Sequence, residues 1–282
     1  MVGSPIEHSL SPLLHRAAYR ALGLRQWTYH RDEVAAGALA GYVSRLPESW
    51  VGLSVTMPGK EEALALADRR SERAEMTGAA NTLVRREDGW WADNTDVDGV
   101  VGAFADAGCE HAEAAWVIGS GATARSALVA LRAMGVRTVC LQVRSTPRRA
   151  TVALAESLHM RVDIRRYDQG WPQVETFDVA LSTVPAQGEL PAEQPLTTAS
   201  RTRSGPGVTG GHSQSHLWTM DVAYQVEREW SRRLAGAGAV VVPGVEMLLH
   251  QAAPQVEAMT GLPAPLDAMR RALATGRADL HP

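Results

Sequence analysis

The sequence predicts an α/β protein whose larger part is a doubly wound parallel sheet. From residue 114 onward, short apolar runs alternate with amphipathic segments, which is typical of parallel strands joined by helices. A glycine-rich turn follows the first of these runs, and residues before 114 carry strand, hairpin and helix signals of their own. The length of 282 residues permits one large domain or two of ordinary size.

The composition excludes several classes of partner. A net charge of −3 gives no reason to expect nucleic acid or an acidic membrane surface. The apolar stretches are too short to span a bilayer, and the N-terminus lacks the pattern of a secretory signal. Cys109 and Cys140 form no CxxC pair, and no His/Cys cluster has the spacing of a metal site. We therefore expect two reduced thiols, no metal and a cytoplasmic protein.

The first hundred residues contain short elements with polar side chains at their ends. The pattern predicts strands at 1–6, 27–29, 51–55, 78–84 and 90–92, the last two joined by a hairpin turn at Asp88-Gly89, and helices at 13–22, 33–46, 60–67 and 97–106. Ser11 precedes Pro12, so Ser11 is either the N-cap of its helix or a ligand-binding residue. Ser9 has no such capping role and is the better ligand candidate.

Lys60 and Asp96 are candidates for chemistry. Lys60 falls in the first turn of a helix, where the helix dipole disfavours a positive charge, so its position hints at function. The alternatives are that Lys60 is an ordinary surface lysine and that Asp96 only caps the helix that follows it. Small polar residues near Asp96 in sequence also indicate a surface that binds a polyol: Asn81, Thr82, Asn94 and Thr95.

The glycine-rich turn predicts a nucleotide site. Gly119 and Gly121 lie between a strand at 114–118 and a helix at 124–134, where backbone N–H groups and a helix N-terminus can approach a pyrophosphate. The motif is incomplete, because Thr123-Ala124 replaces a third glycine. The following strand, 138–143, ends in arginines rather than a carboxylate, and guanidinium groups suit the 2′-phosphate of NADP. A solvated helix face is the alternative for these arginines; we prefer it for Arg149 and not for Arg144.

The rest of the chain continues the alternation. We expect further strands at 161–164, 179–183, 218–222 and 239–242, and helices at 148–159, near 173, at 226–235, 244–259 and 265–274. Residues 198–215 are rich in Ser, Gly and Thr and are expected to form a mobile surface loop without a function. Gln251 shares an apolar helix face with Met247, and a buried amide needs partners, of which a ligand is one.

Taken together, these stretches resemble the shikimate dehydrogenase family. The resemblance covers nearly the whole chain through motifs in order: Gly3-Ser-Pro-Ile with His8-Ser9 and Ser11-Pro12, Ser54-Val-Thr56 with Pro58 and Lys60, Gly78-Ala with Asn81-Thr-Leu, Asn94-Thr-Asp96, Gly119 with Gly121 and Ala124-Arg125, Asp221 with Tyr224, and Gly244 with Met247-Leu248 and Gln251. It implies two domains: residues 1–98 bind substrate, residues 99–243 form the NADP-binding Rossmann domain, and residues 244–282 return as helices to the first domain.

The same resemblance implies the reaction and the residues that carry it. The reaction is the reversible NADPH-dependent reduction of 3-dehydroshikimate to shikimate, with Lys60 and Asp96 as the catalytic pair. Substrate would be held by Ser9 and Ser11 at its carboxylate, with Tyr224 nearby, and by Thr56, Asn81, Asp96 and Gln251 at its hydroxyls. Cofactor would be held by Gly119, Gly121, Ala122, Thr123, Ala124, Arg144, Ser145, Arg148 and Gly244. We expect a monomer or a homodimer whose partners are these small molecules.

General chemistry agrees with the catalytic pair. Hydride attack on a ketone leaves an alkoxide, which a lysine ammonium can stabilise and protonate while a carboxylate fixes its position. Two alternatives stay open: a catabolic quinate or shikimate dehydrogenase, often NAD-linked, and a non-catalytic sensor of NADP or shikimate. Three departures from the family pattern bear on these alternatives: Ser54 for asparagine, Val143 for asparagine, and residues 225–228 in place of a turn with proline.

Overall fold

The structure, a computed structural model, describes residues 1–192 and 216–278. The loop predicted at 198–215 lies outside these residues. The chain divides into two compact units. The first contains Met1–Gly102, Arg125–Val129 and the described residues from Val245 onward, and the second contains Ala103–Ala124 and the described residues of Ala130–Gly244.

The described residues form twelve strands and ten helices. The strands are β1 (Val2–Gly3), β2 (Asp32–Glu33), β3 (Gly52–Ser54), β4 (Arg69–Arg70), β5 (Thr82–Arg86), β6 (Gly89–Asp93), β7 (Ala114–Ile118), β8 (Thr138–Val143), β9 (Arg161–Arg166), β10 (Val179–Ser182), β11 (Trp218–Asp221) and β12 (Val240–Val242). The helices are α1 (Ser11–Ala21), α2 (Leu39–Val43), α3 (Lys60–Leu66), α4 (Glu72–Thr77), α5 (Asp96–Asp106), α6 (Ala122–Ala133), α7 (Arg149–Ser157), α8 (Glu229–Gly236), α9 (Gly244–Thr260) and α10 (Leu266–Ala278). No helix in this part of the chain is both long and apolar enough to cross a membrane.

The first unit is built on two small sheets. One has the strand order β3-β5-β6-β4, in which β3, β5 and β6 are antiparallel and β4 runs parallel to β6. The other is the parallel pair β1-β2. Leu53 and Leu83 face each other across β3 and β5, and both are buried with Leu39 in the core of this unit. The predicted hairpin joins β5 and β6, but its turn residues are Glu87 and Asp88, one position earlier than expected, because Gly89 already pairs with Arg86.

The second unit contains a six-stranded parallel sheet with the order β12-β11-β10-β7-β8-β9. This is the predicted doubly wound arrangement, and β7 and β8 have the bounds expected from their apolar runs. Trp116 of β7 is fully buried, with its ring 5.5 Å from that of Trp171 and 5.8 Å from that of Trp230. These aromatic side chains form part of the core on one face of the sheet.

Several predicted elements are wrong. The strand expected at 27–29 is absent, and residues 32–33 form β2 instead by pairing with Val2 and Gly3. The helix expected at 33–46 is only α2 (Leu39–Val43), because Glu33 belongs to β2 and Gly37 adopts a φ of +78°. The helix expected near 173 is a single 3₁₀ turn, Val174–Thr176. The helix α4 was not predicted, although Ser71 caps its start and Gly78 ends it in a left-handed conformation.

Candidate active site

Lys60 and Asp96 form an ion pair in the first unit. The ammonium of Lys60, the first residue of α3, donates to Asp96 Oδ2 at the start of α5. Their side chains are 11% and 7% exposed, so little water reaches the pair. The Gly59 amide donates to the Thr56 carbonyl at 2.9 Å, and this bond closes the turn that precedes Lys60. The pair therefore sits at the N-termini of two helices that follow separate strands.

Asn81 and Gln251 meet the same pair. Asn81 Nδ2 donates to the second carboxylate oxygen of Asp96, Oδ1, at 2.8 Å. The same nitrogen lies 3.1 Å from Gln251 Oε1, and Gln251 Nε2 donates to the carbonyl of Leu248 at 3.0 Å. Asn81 is 2% exposed and Gln251 is 8% exposed. The structure thus brings together Lys60, Asp96, Asn81 and Gln251, four of the residues predicted from the sequence.

Asp96 is not the N-cap of its helix. The carboxamide oxygen of Asn94 accepts from the Asp96 amide at 3.2 Å, while both carboxylate oxygens of Asp96 face Asn81 and Lys60. Asn94 is itself fixed, because its Nδ2 donates to Thr77 Oγ1 at 2.8 Å and to the Ala79 carbonyl at 2.9 Å. The carboxylate of Asp96 is therefore held for contact with Lys60 rather than used for capping.

The composition of the chain distinguishes Lys60 independently of the local motifs. It is the only lysine among the 28 lysine and arginine residues of the chain. Arginine cannot release its proton in the physiological range, whereas an ammonium can. A chain that uses arginine at every other basic position has a lysine at the one place where a carboxylate and a buried amide converge.

Ser9 and Ser11 lie together at the start of α1. Ser9 Oγ donates to Ser11 Oγ at 3.3 Å and accepts from the Ser11 amide, also at 3.3 Å. The alternative that Ser11 caps α1 is wrong, because the helix begins at Ser11 itself and Ser9 accepts its amide. Thr56 is half-buried beside Gly3, where a Cβ would lie 2.2 Å from its methyl group.

The glycine-rich turn of the second unit has two glycines with different roles. Gly119 has a φ of +108°, and a Cβ there would lie 2.5 Å from Thr183 Oγ1, so the protein itself requires glycine. Gly121 precedes α6 and has no such constraint, because a Cβ there would meet no atom of the described chain within 4 Å. Open space at Gly121, in front of the first turn of α6, fits a nucleotide phosphate.

The arginine-rich segment lies beside this turn. The Arg148 amide donates to Ser120 Oγ at 3.2 Å, and Thr151 Oγ1 donates to the Ser120 carbonyl at 2.7 Å. Arg144, Ser145 and Arg148 are exposed after the end of β8, the neighbour of β7 in the sheet. Positive side chains thus follow the strand next to the glycine-rich turn, which fits a phosphate carried by a nucleotide ribose.

Gly244 and Tyr224 are placed by a close backbone approach in the second unit. A Cβ at Gly244 would lie 2.2 Å from the Asp221 carbonyl oxygen and 3.4 Å from Tyr224 Cβ. Glycine is therefore required where α9 begins beside the end of β11. Asp221 is half-buried here; partial burial raises the pKa of its carboxyl, although the positive charge of Arg228 acts in the opposite direction. Tyr224 itself is half-buried.

Comparison with known families gives two matches at the ends of the chain. The model described as the shikimate dehydrogenase substrate binding domain matches residues 1–83. The model described as the shikimate 5'-dehydrogenase C-terminal domain matches residues 244–274. The first range contains Lys60 and Asn81, and the second contains Gln251.

Curated relatives extend these matches to nearly the full chain. Shikimate dehydrogenase (NADP(+)) of Caulobacter vibrioides (strain NA1000 / CB15N) is 38% identical over 275 residues, covering 92% of this chain and 88% of the relative. The protein of the same name from Methanocella arvoryzae is 32% identical over 274 residues and 96% of each chain. The pentafunctional AROM polypeptide of Candida tropicalis is 31% identical over 278 residues, and the chain spans 18% of its length.

Solved structures agree with the relatives. The crystal structure of Mycobacterium tuberculosis shikimate dehydrogenase is 40% identical, covers 97% of both chains and has a TM-score of 0.79. The structure of shikimate 5-dehydrogenase from Thermus thermophilus in complex with NADP(H) and shikimate is 26% identical, with 97% of both chains covered and a TM-score of 0.75.

Proposed function

The chain belongs to the shikimate dehydrogenase family, and on that premise we propose that it catalyses the reversible NADPH-dependent reduction of 3-dehydroshikimate to shikimate. The observation that carries this proposal is the largely buried ion pair of Lys60 and Asp96, with Asn81 on the second carboxylate oxygen. Relatives named shikimate dehydrogenase (NADP(+)) support the choice of substrate and cofactor.

Lys60 supplies the proton. When bound, NADPH supplies a hydride to the ketone carbon, and the electron pair of the C=O bond moves to oxygen. The Lys60 ammonium stabilises that oxygen and protonates it, and in the reverse direction the neutral amine takes the proton back. Asp96 holds the amine in place through Oδ2. A site with little water keeps the electrostatic interaction strong.

Two sets of polar groups bind the ligands. Ser9 and Ser11 bind the substrate carboxylate, with Tyr224 as a further contact. Thr56, Asn81, Asp96 and Gln251 bind its hydroxyls. The cofactor phosphates are held at Gly119, Gly121 and the first turn of α6 (Ala122, Thr123, Ala124), its 2′-phosphate by Arg144, Ser145 and Arg148, and Gly244 borders the same site. The open space at Gly121 and the exposed arginines support this assignment.

We assign the domains as residues 1–98 for substrate, 99–243 for NADP and 244–282 for helices that complete the first domain. Cys109 and Cys140 are buried free thiols, which supports a cytoplasmic enzyme, since oxidising compartments favour disulfides. The enzyme works as a monomer or a homodimer. The NAD-linked catabolic reaction is less well supported, because arginines rather than a carboxylate follow β8. A non-catalytic sensor has no use for the Lys60–Asp96 pair.

The test is oxidation of NADPH by the purified full chain with 3-dehydroshikimate, run beside NADH and, in reverse, beside quinate. We expect turnover with NADPH and 3-dehydroshikimate, and at least tenfold lower kcat/KM with NADH or quinate, which corresponds to about 1.4 kcal/mol of discrimination. Turnover with NADH and quinate would support the catabolic reaction. Binding of NADPH without turnover would support the sensor.

A further inference from the structure

A buried line of hydrogen bonds runs through the first unit and ends at Asp96. It begins at Tyr29, whose hydroxyl donates to Ser54 Oγ at 2.6 Å. Ser54 Oγ donates to Gln255 Oε1 at 2.7 Å, and Gln255 Nε2 donates to Thr82 Oγ1 at 2.9 Å. Thr82 Oγ1 donates to Asn81 Oδ1 at 2.8 Å, and Asn81 Nδ2 donates to Asp96 Oδ1. Each group donates to the next, so hydrogen bonds along this line strengthen one another.

The direction of the line fixes how Asn81 faces Asp96. Asn81 Oδ1 accepts from the Thr82 hydroxyl and from the Thr95 amide, the latter at 2.9 Å. Both donors require oxygen at that position, so the nitrogen of the carboxamide faces the other way, toward Asp96. A carboxamide turned by 180° would set its oxygen against a carboxylate oxygen, which repels it. The Thr95 amide can only donate and requires this orientation by itself, and the Thr82 hydroxyl adds a second donor to the same oxygen.

Gln255 determines that the Thr82 hydroxyl donates to Asn81 Oδ1. Its Nε2 donates to Thr82 Oγ1 and, at 3.0 Å, to the Asn81 carbonyl, and the residue is 1% exposed. Because the Thr82 oxygen receives a hydrogen from Gln255, the single proton of Thr82 is left for Asn81 Oδ1. An acceptor at position 255 would attract that proton and withdraw it from Asn81.

We propose that Gln255 is a positioning residue for the catalytic carboxylate: its N–H groups direct the Thr82 hydroxyl toward Asn81 Oδ1, and this second donor strengthens the contact by which Asn81 holds Asp96 toward Lys60. This inference rests on the proposed function of Lys60 and Asp96 and extends it to a residue of α9 that reaches the pair only through two intermediates. The local sequence signal is weak, since Gln255 is one turn after Gln251 in an apolar helix.

Gln255→Glu is the sharpest test, because it keeps the shape of the side chain and removes its N–H donors. At pH 8 we expect kcat to fall about tenfold, the value of roughly one hydrogen bond to a charged group, with KM for NADPH unchanged. A buried glutamate has a raised pKa, and its protonated form is again a donor. We therefore expect kcat to recover as the pH is lowered from 8 to 6, a rise that wild type does not show.

The groups around position 255 leave this pH profile interpretable. His15 of α1 stacks on Tyr29 with 4.2 Å between ring centroids and interacts with the side chain of Gln255. In wild type, burial lowers the pKa of His15 to about 3, below the assay range. Asp96 and Lys60 lie beyond Asn81 in the same line and are present in wild type and variant alike. A carboxylate at position 255 would also face His15, so Gln255→Glu is measured again in a His15→Phe background, where the difference between the two profiles reports the new carboxyl group.

Tyr29→Phe is the matched control, since it removes a buried hydrogen bond from the far end of the line and leaves both Gln255 donors in place. We expect its kcat to stay within about twofold of wild type, because the order of donors at Thr82 and Asn81 is unchanged. Gln255→Met, which neither donates nor accepts, is measured alongside. It should lose kcat without recovery at low pH, and it decides the question if the glutamate variant does not fold.

Three results would overturn the inference: Gln255→Glu and Gln255→Met with wild-type kcat, equal losses in Tyr29→Phe and the Gln255 variants, or a pH profile of Gln255→Glu parallel to wild type. Wild type without any reduction of 3-dehydroshikimate would instead contradict the proposed function itself. Because wild-type turnover is measured in the same experiment, the two failures are distinguishable.

Discussion

His15 is a base that the fold keeps uncharged, and its removal should change how stability depends on pH. Its side chain in α1 is fully buried, stacked on Tyr29 and next to the side chain of Gln255. Burial lowers the pKa of His15 from its ordinary 6.5 to about 3. Folded protein therefore takes up this proton only near pH 3, whereas unfolded chain takes it up near pH 6.5.

The magnitude follows from this difference. Between pH 6.5 and pH 3 the unfolded state binds one more proton at His15 than the folded state, so the free energy of unfolding falls with falling pH. The slope approaches about 1.4 kcal/mol per pH unit. Integrated from pH 7.5 to pH 5, the loss attributable to His15 is about 2 kcal/mol. Well above pH 6.5 the histidine is neutral in both states and has no effect.

The assay compares wild type with His15→Phe, which keeps a ring against Tyr29 but has no titrating group. Urea unfolding at pH 7.5 and pH 5 gives the free energy of unfolding of each protein, and carboxylates that titrate in both cancel in the difference. We expect wild type to lose about 2 kcal/mol more than the variant between the two pH values. Equal losses in the two proteins would refute the reasoning, because they would mean that the folded protein binds this proton as readily as the unfolded chain.

Three further predictions concern the cofactor turn, the arginine segment and a buried carboxylate. Gly121→Ala should raise KM for NADPH about tenfold or more while leaving the urea midpoint unchanged, because the added Cβ meets no atom of the described chain. Gly119→Ala, at φ +108°, should instead lower the free energy of unfolding by roughly 1–2 kcal/mol. A fall in stability for Gly121→Ala would contradict the assignment. Arg144→Ala should raise KM for NADPH roughly 10- to 100-fold, as expected for a charged hydrogen bond, with NADH kinetics unchanged; equal effects on the two cofactors would argue against a 2′-phosphate contact. Burial would raise the pKa of Asp93, but hydrogen bonds from Arg73 and Ser71 outweigh it and lower that pKa. Arg73→Met should therefore cost roughly 2 kcal/mol at pH 7, less than a fully buried pair because Arg73 is 30% exposed. The contribution of Asp93 is present above its unfolded pKa near 3.8 and is lost as the pH falls below that value, so the gap between Arg73→Met and wild type in urea unfolding should shrink there; a constant gap would contradict this.

The sheet of the second unit was predictable because each of its strands is marked by a local pattern in the sequence. The runs that form β7 and β8 are apolar, short and bounded by turns, and parallel strands buried on both faces need such runs. The short elements of the first unit were harder. The two-residue strands β1 and β2 form only by pairing with each other across about thirty positions, and a strand of two residues is too short to show a periodic pattern.

The candidate site was predictable where a residue broke a local rule. A lysine in the first turn of α3 opposes the helix dipole, and an amide on the apolar face of α9 needs a partner. The role of Gln255 was not predictable, since it depends on Asn81 and Thr82, residues more than 170 positions away. Ser11 does not have the expected capping role because the helix begins at Ser11, one residue earlier than the Ser-Pro pattern indicates, and Leu10 occupies the N-cap position.

The central claim is that Lys60 donates the proton, and replacing it with arginine tests this most directly. Lys60→Arg keeps the positive charge and a donor for Asp96, but a guanidinium does not release its proton near neutral pH. Shikimate affinity, measured by calorimetry, and kcat with NADPH and 3-dehydroshikimate are compared with wild type. We predict retained affinity and a kcat lower by roughly 10²- to 10⁴-fold, the usual contribution of a general acid. A variant that keeps kcat would show that the charge alone suffices and would contradict the account.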